Sequence, residues 1–102
     1  MFTYTVSCTF QTDSIAQEWI AWLRDEHLAD VLKAGALDAE VVRIDGPTIK
    51  AEVRYHFASR EAFTTYDRDQ APRLRAEGLK RFPPERGLFY ERSTGESLFR
   101  LP

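Results

Sequence analysis

Positions 2 to 10 alternate without a break: Phe2, Tyr4, Val6, Cys8 and Phe10 fall on one side, Thr3, Thr5, Ser7 and Thr9 on the other. A period of two is that of a half-buried β-strand, whose successive side chains point to opposite faces. The pattern then widens to helical spacing. Ile15, Trp19, Trp22 and Leu23 share one face, and Leu28, Val31 and Leu32 carry the apolar content on to Ala34, where Gly35 can supply a left-handed stop. Ser14 followed by Gln17 predicts the helix start, the two side chains each meeting an orphan backbone N–H. The polar run Arg24, Asp25, Glu26 interrupts the stripe and marks a bend.

Residues 37–44 and 49–57 read as two strands joined by Asp45, Gly46, Pro47 and Thr48, a hairpin signal. The second of them alternates as cleanly as the first strand of the chain, with Ile49, Ala51, Val53, Tyr55 and Phe57 set against Lys50, Glu52, Arg54 and His56. Ser59 can cap a second helix bearing Phe63, Tyr66 and Leu74. Pro72 removes one backbone hydrogen bond there and clashes with the preceding turn, which predicts a kink or two shorter helices. Pro83 and Pro84 end the element, residues 87–93 predict a last strand, and Leu98, Phe99 and Leu101 give residues 94–102 an apolar tail that would dock on the domain or on a partner subunit.

Strand, helix, strand, strand, helix, strand has one economical solution: an α+β, ferredoxin-like βαββαβ sandwich with a four-stranded antiparallel sheet and two helices on one face. The covered face takes Phe2, Tyr4, Val6 and Phe10 with Val53, Tyr55 and Phe57. The open face takes Thr5, Ser7 and Thr9 with Glu52, Arg54 and His56, and is polar. A sheet left bare on one side calls for a second copy of the chain.

Composition narrows the partners. A chain of 102 residues is one domain, and 14 basic against 16 acidic side chains, spread along its length, give a net charge of −2 that attracts neither phosphate backbones nor anionic lipid. RNA recognition on such a sheet uses aromatics on the open face of the central strands, where this chain has Thr5, Ser7, Glu52 and Arg54. No apolar run is long enough to span a bilayer, and the first ten residues lack the marks of a signal peptide. The lone Cys8 offers no intramolecular disulfide, so a cytoplasmic location is expected. Two histidines without zinc spacing predict no metal, and no phosphate loop or nucleophile elbow predicts a cofactor.

The segment Glu18-Trp19 to Trp22-Leu23, then Glu26-His27-Leu28, Val31-Leu32 and Gly35, resembles a small uncharacterised bacterial family, the Domain of Unknown Function 4286 family. Val53-Arg54-Tyr55, Phe63, Tyr66, Ala71-Pro72-Arg73-Leu74-Arg75 and Arg81-Phe82 continue the likeness in order. The resemblance implies a dimeric α/β barrel, in which two ferredoxin-like protomers set their open sheet faces together. Its wider superfamily holds cofactor-independent monooxygenases, isomerases, haem-degrading enzymes and ligand-binding modules, so the fold decides no chemistry. The family supplies no catalytic residues to carry over.

Two residues are candidates for proton transfer. His27 sits one position after Glu26 and three before Asp30, a pairing able to do acid–base work or hold a ligand; the plainer alternative is a packing contact on the helix surface. His56 stands beside Glu52 and Arg54 on the open face, and those side chains with Thr5 and Ser7 would line the space between two sheets; the alternative is an ion-pair network at a polar interface. Trp19 and Trp22 read as core and Cys8 as an inert buried thiol. The expected function is a homodimeric small-ligand-binding or interaction domain. The alternative is a cofactor-independent oxygenase or isomerase of a small molecule, with His27 or His56 moving the proton in the inter-sheet pocket and Arg54 steadying negative charge.

Overall fold

The computed structural model describes all 102 residues. Strand β1 (Phe2–Phe10) leads into helix α1 (Asp13–Trp22), a π-helical turn (Leu23–His27) and helix α2 (Leu28–Lys33); strands β2 (Asp38–Ile44) and β3 (Ile49–Phe57) follow. Helices α3 (Arg60–Asp69) and α4 (Ala71–Arg81), a 3-10 turn (Pro84–Arg86) and strand β4 (Leu88–Glu96) complete the chain. The sheet is antiparallel throughout, in the order β2-β3-β1-β4. The helices lie on one of its faces, the ferredoxin-like arrangement.

The alternation sorts as predicted. On β1 and β3 the residues Phe2, Tyr4, Cys8, Phe10, Ala51, Val53, Tyr55 and Phe57 are buried, while the intervening Thr, Ser, Glu, Arg and His side chains stay partly exposed on the open face. The core contains 19 buried residues, all hydrophobic. Its densest part is aromatic: Phe2, Tyr4, Phe57 and Tyr66 gather around Phe63 with ring centroids 5.0 to 6.5 Å apart. Such separations suit offset or edge-to-face contact between π quadrupoles.

Local details bear on the sequence expectation at several points. Thr12, not Ser14, caps α1: its hydroxyl accepts from Ile15 N–H, and the Gln17 amide donates to Asp13 at 2.6 Å instead of turning back to the backbone. The bend at Arg24 to Glu26 is a turn of π-helix, in which Leu28 N–H donates to the Leu23 carbonyl five residues back. Pro72 does divide the second helical segment, since it stands in the first turn of α4, where a missing N–H leaves no bond unmade. The last strand runs to Glu96, and Ser97 N–H still donates to the Met1 carbonyl at 2.8 Å, so residues 94–96 belong to the sheet. Beyond them Leu98, Phe99 and Leu101 are 81, 87 and 85% exposed on the single protomer.

Candidate functional site

Between sheet and helices lies a narrow cleft of about 50 Å³, open on one side and lined by 15 residues of which 11 are hydrophobic. The inward face of the sheet contributes Tyr4 and Val6 from β1, Val53 and Tyr55 from β3, and Tyr90 and Arg92 from β4. The helices close it from the other side with Trp19, Trp22, His27, Tyr66, Leu74 and Arg75. Gly78 on α4 makes room for one wall: a Cβ there would come 3.1 Å from the tip of the Trp22 indole.

His27 reaches this cleft because of the π turn. At 3.6 residues per turn a residue five places on would point about 140° away from Trp22. A turn closed by bonds from i to i+5 winds more slowly, so the fifth residue comes back toward the side of the first. His27 therefore stacks on Trp22, with centroids 4.3 Å apart and ring planes 20° from parallel. Burial pushes the imidazole down to about 4, against the weaker upward pull of Asp30, so at neutral pH the ring is uncharged.

At the other end of the cleft the Tyr4 hydroxyl accepts from two guanidiniums, Arg75 Nη2 at 3.3 Å and Arg92 Nε at 3.1 Å. Arg75 Nη2 also donates to Asp67 at 2.6 Å, while Arg75 Nε is buried without a partner. Tyr4, Arg75 and Arg92 line a second, shallower depression with Asp67, Ser93 and Thr94, and so stand at the mouth of the cleft. Burial holds the Tyr55 hydroxyl well above the usual tyrosine range and pushes that of Tyr66 up to about 12, keeping both as neutral O–H groups.

The expected ligand set Thr5, Ser7, Glu52, Arg54, His56 and His27 is not one site. The first five share the open face, paired by register as Thr5 with Arg54 and Ser7 with Glu52, whereas His27 is on the far side of the sheet. A histidine in an inter-sheet pocket can therefore only be His56. Its Nδ1 lies 2.6 Å from Asp38 across the β2–β3 ladder, and Arg54 donates to Glu52 at 3.0 Å, so the polar groups of that face largely satisfy one another. Ser7 Oγ is the exception, buried and without a partner. Trp19 and Trp22 are core as expected, 3 and 9% exposed, and the Cys8 thiol is pushed up to about 12 by burial, which makes it inert. No group of three or more His, Cys, Asp and Glu side chains is placed to hold a metal ion.

Tyr4, Tyr66, Arg75 and Arg92 escaped the sequence reading as site residues. A signal was present for the last: Leu88, Tyr90 and Arg92 share one parity of β4, which puts a cation on the helix side of the sheet.

No curated protein sequence matches the chain. Solved structures do. One is a dimeric ferredoxin-like protein from an uncultured marine organism, 14% identical, covering 100% of this chain and 99% of that one with a TM-score of 0.75. Another is SnoaB, a cofactor-independent oxygenase from Streptomyces nogalater, 13% identical, covering 99 and 96% with a TM-score of 0.66. A third is an ethyl tert-butyl ether D family protein from Bacillus halodurans, 17% identical, covering 96 and 100% with a TM-score of 0.63. At such identities the likeness is one of fold, and it agrees with the sheet and helices described above. The family model for the domain of unknown function DUF4286 matches residues 1–93, every element except the end of β4, and the chain belongs to that family.

Proposed function

We propose that the protein is a homodimeric small-molecule-binding domain in which each protomer holds one ligand between its sheet and its helices. The observation that carries this is the cleft itself: an apolar, largely aromatic recess with a few polar groups at one end, the lining typical of small-ligand sites. The open sheet face, with Thr5, Ser7, Glu52, Arg54 and His56, is assigned to the dimer contact, a role supported by the dimeric state of similar ferredoxin-like proteins. The buried, protonated thiol of Cys8 is compatible with the cytoplasm, where we place the protein.

Cofactor-independent oxygenation is the second reading, supported by the description of SnoaB. It requires a group that can take a proton at neutral pH. His27, held at about 4, is a weak base, which leaves that reading to His56 on the open face and favours binding as the role of the cleft.

Val6 faces the cleft from the central strand β1, so Val6→Phe fills the recess. A thermal-shift screen of aromatic metabolites on the natural protein is expected to give ligands that raise its melting temperature, since a hundredfold excess over Kd adds about 2.7 kcal/mol. Those shifts should vanish in folded Val6→Phe. Shifts of undiminished size in that variant would move the site elsewhere and end the proposal.

A further inference from the structure

Six of the cleft's lining residues are aromatic: Tyr4, Trp19, Trp22, Tyr55, Tyr66 and Tyr90. Flat walls of this kind match flat ligands, through stacking and edge contacts. The mouth has a different chemistry. Two guanidiniums face a single carboxylate, Asp67, which leaves positive charge at that end.

The hydrogen bonds at Tyr4 sharpen the point. A phenolic oxygen has two acceptor sites and one proton to give. Both acceptor sites are taken by Arg75 Nη2 and Arg92 Nε, so the proton is left to donate, and it makes no hydrogen bond within the protomer. Donation from two cations strengthens that O–H as a donor. Arg75 Nε–H, buried and unpartnered, is a second waiting donor on the same guanidinium. A cluster of donors whose positive charge exceeds that of its one carboxylate, Asp67, suits an added anionic oxygen.

We infer that the cleft takes a planar aromatic carboxylate, its ring system against the aromatic walls and its carboxylate at Tyr4, Arg75 and Arg92. This rests on the cleft being the binding site and adds the chemical class of the occupant. Arg92 is exposed on β4 and Tyr4 differs from phenylalanine only by the hydroxyl, so Arg92→Met and Tyr4→Phe change the recognition end while leaving the core filled.

Calorimetric titration of the dimer with 2-naphthoate and with its neutral isostere 2-naphthamide tests the assignment. The natural protein should bind naphthoate at least tenfold more tightly. Arg92→Met and Tyr4→Phe should each erase most of that preference, while naphthamide binding changes less than twofold. Equal affinity for the two probes, or a preference that survives both variants, overturns the carboxylate assignment and leaves the cleft as a binding site. Failure of both probes to bind the natural protein overturns the assignment and the cleft reading together.

Discussion

His27 shows how one side chain reports on its surroundings. Its folded-state value of about 4 lies below the ordinary 6.5, so the unfolded chain takes up a proton first as the pH falls. The stabilisation that comes from keeping the ring neutral is therefore complete above about pH 6.5 and is lost between there and pH 4. Melting temperatures of the natural protein and of His27→Gln should diverge least near pH 4 and most above pH 6.5, and an NMR titration should find His27 still neutral at pH 5.5. A midpoint above pH 6 for that ring would mean that the stack on Trp22 is open to water. The imidazole and its distance from Asp30 in sequence were legible beforehand; its burial was not, because a π turn is selected by what the side chains meet across the fold. Arg75 was equally hidden: it sits one place beyond the inward Leu74 on α4, and only the sheet opposite turns it into a cleft residue.

Elements whose pattern is set locally came out of the sequence almost entire. The alternation of β1 and β3 fixes their faces, and the bounds Ile49–Phe57 coincide with the run read from spacing alone. Pro72 marks the break between α3 and α4 for the same reason: a residue without an N–H fits the first turn of a helix and not its middle. Where partners are distant, the sequence was silent. Thr94 to Glu96 carry no strand signal, and they are held by pairing with Tyr4 to Phe2 on β1. The start of α1 is a closer contest between two hydroxyls. Thr12 makes the capping bond, so Thr12→Ala should lower stability by about 1 kcal/mol. Ser14 is exposed inside the helix, where alanine has the higher propensity, so Ser14→Ala should be neutral or slightly stabilising. Urea unfolding of the two variants checks both; the reverse ranking would restore Ser14 as the cap.

At the scale of the whole molecule the protomer measures 35 × 32 × 21 Å, and the short dimension is that of one sheet plus one layer of helices. The two sides of the sheet thereby acquire different tasks. The helix side encloses an apolar cleft with a cationic mouth, while the open side presents hydroxyls and internally paired charges suited to a second copy. The polarity of the open side was plain from the alternation of β1 and β3, which is why the sequence drew attention there; the cleft arises only when aromatic residues from three strands and two helical segments meet. A crystal structure of the protein grown with 2-naphthoate tests this division most directly. It should show one ligand per protomer between Trp22 and Tyr55, its carboxylate within hydrogen-bonding reach of Tyr4 and Arg92, and two copies joined through their open sheet faces. A ligand seated instead among Glu52, Arg54 and His56, with the helix-side cleft empty, would contradict the account.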